Sequence, residues 1–421
     1  LGVSTMNILT NSLLWFAYFV SLYFAVFWLL VYLSKKTKFP QKIWEELPKV
    51  SIVVPAYNEE RAILRALKGL VELDYPQEKR EIFVVNDGST DTTAQQVKQF
   101  IQEHPQEKIK LLTQANQGKG AALNRGLRLV KGEFFVCLDA DSFVQKHTLK
   151  KLLTYFTDEK IAAVLPALKV EAPQNTLQKL QWYEYIINLF YKELMGKLNC
   201  VHVTPGPFSI YRTNILQKVG GFDENNITED LEMALRLQRG HYKILQTVDS
   251  EVTTLAPASI SALYAQRNRW FKGSVLNAMK YKSMLFNSKY GDFGMIQMPT
   301  IILSGIIALI LLVTIVYTTL QPAVLYLYHL SLVDFDFWTF LQNFAFNLKL
   351  LDLDYITIFV GFTMLSITLI VMKRSEVLVN ERLRKYGSLP IIVYLILYFF
   401  FLAGVWVGVT WDLMRRKKQR W

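Results

Sequence analysis

The sequence predicts an α/β protein in which a domain with a mostly parallel sheet is joined to α-helical membrane spans. Between residues 50 and 254, short apolar runs alternate with amphipathic, charged segments. This alternation is typical of an open sheet covered by helices on both faces. Outside that region lie four apolar runs, each long enough to cross a bilayer, which takes about 20 residues. The 421-residue chain is 52% hydrophobic and 19% charged, as such a combination requires.

The strands are predicted from apolar runs and the helices from the amphipathic stretches between them. The runs cover residues 50–54, 81–85, 109–112, 133–138 and 161–165. The helices predicted between them are Arg61–Leu70, Thr92–Gln102 and Ala121–Leu129. Ligands of open parallel sheets bind beyond the carboxyl ends of the strands. We therefore expect the site at the polar segments PAYNEE, NDGSTD, QGKGAALN and DAD, which lie at those ends.

The apolar runs also predict a domain organisation. Asn11–Leu33 is too long and too aromatic for a signal-peptide core. Lys35, Lys36 and Lys38 follow it, so the positive-inside rule places the next domain in the cytoplasm. Later candidate spans are Met298–Leu320, Tyr355–Met372 and Leu389–Trp411. The prediction is an N-terminal transmembrane helix (1–34), a cytoplasmic domain (35–257), interfacial helices (258–297) and a C-terminal region of about three spans (298–421).

This span count leaves one conflict with the positive-inside rule. It places the basic residues after the third span inside, as the rule requires, but the basic tail over 415–420 outside. An interfacial or re-entrant helix in the aromatic segment 321–345 would change the count.

Charge and cysteine usage narrow the class of protein. The net charge of +12 suits nucleic acid, anionic lipid or an anionic small substrate. No Lys/Arg-rich run accompanies a nucleic-acid fold signature, so no nucleic-acid partner is expected. Cys137 and Cys200, the two cysteines, have neither a pairing pattern nor ligand spacing, which argues against a disulfide framework and a zinc site.

Acidic residues follow two of the predicted strands. Asp139 and Asp141, in DAD, can share one divalent cation with a diphosphate. The alternative is a polar turn in which Ser142 begins a helix. Asp87, in NDGSTD, is a candidate for hydrogen bonds to a nucleotide base or ribose. Its alternative is a tight turn and a helix cap made by Ser89 or Thr90.

Three further segments carry candidate chemistry. PAYNEE places Tyr57 and Glu59 at the same edge of the sheet, and QGKG offers Lys119 in a loop suited to phosphate. A solvated loop lysine is the alternative for Lys119. Asp230, in TED, begins an amphipathic helix whose dipole would keep it ionised, as a general base must be. The alternative for Asp230 is an acidic first turn without a catalytic role.

The segment QRNRW, residues 266–270, precedes the second candidate span. On a helix, Gln266 and Arg269 share a face and Trp270 is the i+4 neighbour of Gln266. This arrangement suits a ligand, and an interfacial aromatic anchor flanked by arginines is the alternative.

In this order, the motifs resemble those of the family 2 glycosyltransferases with the GT-A fold. They are most similar to the membrane-integrated processive synthases of cellulose, hyaluronan and poly-N-acetylglucosamine, by motif over residues 50–270 and beyond that by span layout. The resemblance implies an inverting enzyme that elongates and translocates an extracellular β-linked polysaccharide from a UDP-sugar, with N-acetylglucosamine suggested by the span layout. The alternatives are a lipid glycosyltransferase similar to ceramide glucosyltransferase, and a catalytically dead sensor or scaffold, against which the carboxylates argue.

The resemblance also implies residue roles. Asp230 would be the catalytic base, and Asp139 and Asp141 would hold Mg²⁺ or Mn²⁺. The donor would be bound by Tyr57, Glu59, Asp87, Lys119, Asp139, Gln266 and Arg269. The acceptor would meet Trp270, Glu229 and Gly206, the last within TPGPFSIYR (204–212). Arg267 has no role in the family's motif, and we expect it to contact lipid headgroups instead.

Partners and location follow from the same resemblance. The expected partners are a UDP-sugar, the growing polysaccharide, membrane lipid and a small membrane accessory subunit. The expected location is the plasma membrane, as an integral multi-pass protein with a cytoplasmic catalytic domain.

Overall fold

The computed structural model describes residues 2–34, 39–332, 338 and 355–415. Contacts divide the chain into two units, residues 1–34 with 303–373 and residues 35–302 with 374–421. The basic flank of Lys35, Lys36 and Lys38, the tail over 416–420 and much of the segment 321–345 lie outside the described residues. The domain limits drawn from the sequence stay predictions.

Helix α1 (Gly2–Leu33) contains the first predicted span, Asn11–Leu33. Trp15, Phe19 and Leu30 are exposed on its surface, as expected of a helix that faces lipid.

The second unit is built on an eight-stranded sheet with the order β3-β2-β1-β4-β7-β6-β8-β5. The strands are β1 (Val50–Ala56), β2 (Arg80–Asp87), β3 (Ile109–Gln114), β4 (Phe134–Cys137), β5 (Ser142–Val144), β6 (Ile161–Val170), β7 (Ser209–Arg212) and β8 (Lys243–Thr254). Pairing is parallel from β3 through β4, and β6 is parallel to β8. β7 is antiparallel to both β4 and β6. The predicted α/β fold with a mostly parallel sheet is confirmed.

Helices cover both faces of this sheet. They are α2 (Ile63–Val71), α3 (Thr93–Glu103), α4 (Lys119–Leu127), α5 (Thr148–Leu153), α6 (Thr176–Lys197), α7 (Thr213–Lys218) and α8 (Glu229–Arg239), whereas α9 (Ile260–Lys280) packs against α8. Ile52 and Val54 pack into one core and Val53 into the other, because alternate residues of a strand point to opposite faces. Burying each such side chain stabilises the fold by about 1.5–3 kcal/mol. Burial on both faces explains why β1 and β2 read as continuous apolar runs.

Three further apolar helices lie within the described part of the chain: α10 (Met298–Ser331), α11 (Tyr355–Val379) and α12 (Leu389–Met414). Within the described residues, four helices, α1 included, are long and apolar enough to cross a membrane. Helix α12 packs against α6 and α9 through a cluster of Leu180, Leu263 and Tyr398. The rings of Phe271 and Trp406 also stack, with centroids 4.8 Å apart. The last apolar helix is thus in contact with the helix that carries QRNRW.

Candidate active site

The loops that follow β1 and β2 are joined by hydrogen bonds. Asn58 has a φ of +55°, donates its N–H to Ser89 Oγ over 3.0 Å and accepts from Thr90 N over 2.8 Å. The first N–H of α3, at Thr93, is satisfied by Asp91 over 3.0 Å. The prediction that Ser89 or Thr90 caps α3 is wrong, because both bond to the neighbouring loop instead. PAYNEE and NDGSTD therefore form one rigid edge.

Asp87 is buried and fixes the turn that precedes α4. Its Oδ1 accepts from Gln114 Nε2 over 2.8 Å and from Gln117 N over 3.0 Å. Its Oδ2 accepts from Gly118 N over 2.8 Å, and Gly118 has a φ of +90°. Asp87 thus fixes the position of Gly118, and with it the position of Lys119, which follows Gly118 and begins α4. The contact of Asp87 with a nucleotide base stays a prediction.

Three elements meet at Lys119. Its Nζ lies 2.6 Å from Asp139 Oδ1, beyond the end of β4, and 3.3 Å from Glu229 Oε1, at the start of α8. The lysine side chain is 16% exposed, so the alternative of a solvated loop lysine is wrong. Gly206 lies against this pair: a Cβ there would stand 2.3 Å from Asp139 Oδ1 and 2.4 Å from Lys119 Nζ. Only glycine leaves room for the pair at this distance.

Negative charge exceeds positive charge around Lys119. Burial and then the charge of Asp139 raise the pKa of Asp141 to about 6. Burial, followed by the charges of Asp141 and Asp139, raises the pKa of Glu59 to about 7. Burial favours a neutral Lys119, but Asp139 and Glu229 outweigh it and raise the pKa of the lysine. One ammonium therefore does not neutralise this edge of the sheet.

The excess of negative charge bears on whether a divalent cation fits beside Asp139 and Asp141. Within the described residues, no group of three or more His, Cys, Asp and Glu side chains is placed to hold a metal ion alone. Asp139 and Asp141 supply oxygen donors, which Mg²⁺ and Mn²⁺ prefer, and their mutual repulsion is what a cation would relieve. The residues fit a cation that completes its ligand shell with oxygens of a bound phosphate. The turn alternative is partly wrong: Ser142 begins β5, not a helix.

Asp230 and Glu229 begin α8, where the helix dipole favours negative charge. Asp230 is half-buried, and its backbone carbonyl accepts from Thr204 Oγ1 over 2.8 Å, which ties it to the segment of Gly206. Glu229 is 2% exposed and faces Lys119. The structure thus brings Lys119, Asp139, Gly206 and Glu229 together. The catalytic role of Asp230 and the acceptor contacts of Glu229 and Gly206 stay predictions.

Helix α9 carries QRNRW, as the spacing predicted, and packs against the residue before α8. A Cβ on Gly273 would stand 2.2 Å from Thr228 Oγ1. Asn277 Nδ2 donates to the same Thr228 Oγ1 over 3.0 Å. The helix of Gln266 and the helix of Asp230 are therefore in direct contact.

Arg267 does not face lipid headgroups. Its side chain is fully buried, donates to Glu184 Oε2 on α6 and to Gln266 Oε1, and lies 4.2 Å from the centroid of the Trp270 ring. The expectation of a lipid contact is wrong because α6 and α12 cover this side of α9. This geometry does not test whether Gln266, Arg269 and Trp270 contact a ligand. The ligand role and the alternative of Trp270 as an interfacial anchor both stay predictions.

The sequence prediction missed the residues of α6. Glu184 pairs with Arg267. Lys192 lies close enough to Asp230 to feel its charge, and burial lowers the pKa of Lys192 to about 8 against that charge. Helix α6 carries no motif. The one available signal was a glutamate among aromatic residues, in WYEYI at 182–186.

The raised pKa of Glu59 predicts a pH-dependent stability. Its folded value of about 7 exceeds the ordinary 4.5, so the folded state holds the proton more tightly. Wild-type stability should therefore fall as pH rises from about 4.5 to about 7. Glu59→Gln removes this loss, so in EDTA it should raise stability relative to wild type at pH 8 more than at pH 5. We expect a difference of about 1 kcal/mol, since Glu59 is partly exposed and screened. Thermal unfolding of both proteins measures it, and equal gains at the two pH values would contradict the assignment.

Comparison with known proteins gives consistent matches. A family model described as glycosyltransferase like family 2 matches residues 48–273, more than half of the 421-residue chain. A beta-monoglucosyldiacylglycerol synthase from Nostoc sp. is 30% identical over 265 residues, 62% of this chain and 56% of that protein. A poly-beta-1,6-N-acetyl-D-glucosamine synthase from Staphylococcus epidermidis is 28% identical over 271 residues, 62% of this chain and 65% of that protein. Each alignment spans less than two thirds of the relative's own length.

One solved structure matches nearly the whole chain. A mannosyltransferase from Pyrobaculum calidifontis, in complex with GDP-Man and Mn²⁺, superposes over 98% of both chains with a TM-score of 0.64. The two sequences are 18% identical, so this likeness concerns the fold.

Proposed function

The chain belongs to the family 2 glycosyltransferases of the GT-A fold, and we propose that it is an inverting, processive enzyme that elongates a β-linked polysaccharide from a UDP-sugar. UDP-N-acetylglucosamine is the donor we propose first, because a poly-beta-1,6-N-acetyl-D-glucosamine synthase is among its relatives.

The observation that supports this proposal is the contact of Lys119 with Asp139 and Glu229 beside Gly206. A lysine at the start of a helix, next to a backbone without a Cβ, suits the approach of a diphosphate. Gln266 and Arg269 would add to this side of the donor. Tyr57, Glu59 and Asp87, on the two joined loops, would receive the uridine.

A divalent cation, Mg²⁺ or Mn²⁺, is part of the proposal, with Asp139 and Asp141 as its protein ligands. When bound, it would offset the negative charge of the donor diphosphate. Mn²⁺ accompanies GDP-Man in the mannosyltransferase structure. Independent support comes from the raised pKa of Asp141 beside Asp139.

The acceptor would be activated by Asp230. The Asp230 carboxylate would take the proton of the attacking acceptor hydroxyl, while Lys119 and Arg269 would stabilise the leaving diphosphate. Glu229, Gly206 and Trp270 would line the acceptor side. Arg267 covers one face of the Trp270 ring, so a sugar would stack on the opposite face.

Transfer of one sugar to a membrane lipid is the second candidate, favoured by the match to a glucosyldiacylglycerol synthase. Purified protein incubated with UDP-sugars and Mg²⁺ or Mn²⁺ separates the two. If the enzyme is processive, we expect a ladder of products whose length increases with time, measured by gel filtration and mass spectrometry. A product limited to lipid with one added sugar would replace it with the lipid candidate, and the family assignment would stand in either case.

The chain is a membrane protein, and we propose that its catalytic domain faces the cytoplasm. The basic loop between α11 and α12 contacts the sheet domain: Lys169 Nζ lies 3.6 Å from Glu381, and Tyr183 donates to the carbonyl of Leu383 over 3.0 Å. Loop and domain therefore share one side of the membrane. The loop's positive charge supports the proposal that this side is the inside. The growing polysaccharide, membrane lipid and a small membrane accessory subunit complete the proposed partners.

This orientation predicts a labelling result. A cysteine introduced at Gln106, exposed on the sheet domain, should react with a membrane-impermeant maleimide only after cells are permeabilised. Cys137 and Cys200 are buried and give a low background. Strong labelling of intact cells would reverse the orientation.

A further inference from the structure

We propose that Arg267, Glu184 and Tyr398 form a positioning network that fixes the side chains of Gln266 and Trp270 and connects them to the last apolar helix. The inference rests on the proposed function, in which Gln266 and Trp270 meet donor and acceptor. Arg267, Glu184 and Tyr398 are assigned to neither substrate, so they would act through Gln266 and Trp270.

The centre of the network is a buried ion pair between α9 and α6. The Arg267 side chain is 0% exposed and that of Glu184 is 14% exposed. One N–H group of Arg267 donates a hydrogen bond to Glu184 Oε2, and another donates to Gln266 Oε1. A guanidinium offers its donors in a rigid plane. Once Glu184 holds one edge of that plane, the direction of the bond to Gln266 is set as well.

The same guanidinium also constrains Trp270. Its Cζ lies 4.2 Å from the centre of the indole ring, within the range of a cation–π contact. Gln266 and Trp270 are one helical turn apart, on either side of Arg267 in sequence. One buried cation therefore restrains the amide assigned to the donor and the ring assigned to the acceptor.

Tyr398 extends the network to α12. Its hydroxyl donates to Glu184 Oε2 over 2.9 Å, the oxygen that also accepts from Arg267. Helix α12 is held along α9 by Phe271 and Trp406, and Lys272 Nζ lies 4.0 Å from Asp412. A shift of α12 would therefore change the hydrogen bond from Tyr398 to Glu184, the carboxylate that orients the guanidinium beside Trp270.

Tyr398→Phe is the variant that tests the network. Arg267→Ala would leave a buried carboxylate without its cation and threatens the fold itself. Tyr398→Phe removes one hydrogen bond to that carboxylate and keeps the ring. Tyr394→Phe is the matched control, because it removes a hydroxyl one turn earlier on α12, from a ring that stacks on Tyr398 but does not bond to Glu184 in the described contacts.

The first measurement does not depend on catalysis. In full-length protein labelled with 5-fluorotryptophan, the ¹⁹F resonance of Trp270 is identified by its loss in Trp270→Phe. Tyr398→Phe and Glu184→Gln should each shift that resonance by more than its linewidth, and Tyr394→Phe should not. An unmoved Trp270 resonance in Tyr398→Phe would overturn the network, even if UDP-sugars proved to be the wrong donors and the proposed function failed.

The second measurement is a double-mutant cycle on the rate of sugar transfer. Tyr398→Phe should lower kcat/KM for the acceptor about tenfold in the wild-type background, the loss expected for one hydrogen bond to a charged group. With Trp270→Ala the same substitution should cost clearly less than tenfold, because one of the two side chains that the network restrains is gone and only Gln266 remains. An equal loss in both backgrounds would show a general structural effect and would overturn the positioning role.

Discussion

Asp230→Asn should lower the rate of sugar transfer by about 10²–10⁴-fold while UDP affinity stays near that of wild type. The substitution keeps the size of the side chain and removes only its ability to take a proton. Asp230 holds the Gly206 segment through its backbone carbonyl, which accepts from Thr204, and that bond does not depend on the carboxylate. Donor binding should therefore survive. Isothermal titration with UDP and single-turnover kinetics measure the two quantities separately.

Asp141→Asn is the matched comparison for this prediction. Its carboxylate lies on the cation side of the site, so its loss should lower UDP affinity along with the rate. If Asp230→Asn lost UDP binding, or kept more than about a tenth of the rate, Asp230 would be a residue of the first helical turn only. Glu229 would be the next candidate for the base, because burial raises its pKa even though the charge of Lys119 opposes that rise.

Gly206→Ala should lower the rate by about 10²-fold or more, because displacements near 1 Å at a reacting centre can cost that much. The added methyl would stand 2.3 and 2.4 Å from the two carboxylate oxygens of Asp139 and 2.4 Å from Lys119 Nζ. It can be accommodated only by separating this pair or by moving the TPGPFSIYR segment. UDP affinity should fall with the rate, since Lys119 and Asp139 are assigned to the donor.

Gly196→Ala is the control for that experiment. Nothing lies within 4 Å of a Cβ at Gly196 in α6, so this variant should fold and transfer sugar like wild type. Alanine within a helix is favoured over glycine by about 1 kcal/mol, so its stability should not fall. A Gly206→Ala protein with at least half of the wild-type rate would show that Lys119 and Asp139 need not stay in contact during turnover.

The sequence predicted those strands, helices and site residues that a local residue pattern marks. Asp139 could be placed at the end of β4 because the apolar run before it ends at Leu138, and strand ends carry ligands in open sheets. The helix of Gln266 and Trp270 followed from their spacing. Strand β5, of three residues, was missed because it is too short for periodicity to register, and β8 because polar residues interrupt its apolar ones.

Contacts between distant segments were beyond such reasoning. The meeting of Lys119 with Glu229 depends on how α4 and α8 are brought to one sheet edge, which no local pattern encodes. Arg267 was assigned to lipid because a helical pattern shows which residues share a face but not what covers that face. The packing of α6 and α12 against α9 buries Arg267 and keeps it from lipid.

We propose that the edge formed by Lys119, Asp139, Asp141 and Gly206 binds a nucleotide diphosphate with a divalent cation. The most direct test is a cryo-electron microscopy map of the full-length protein with UDP and Mn²⁺. We expect metal density in contact with Asp139 and Asp141, and diphosphate density beside Lys119 and Gly206. Nucleotide density at any other edge of the sheet, or a diphosphate bound away from Lys119, would contradict it.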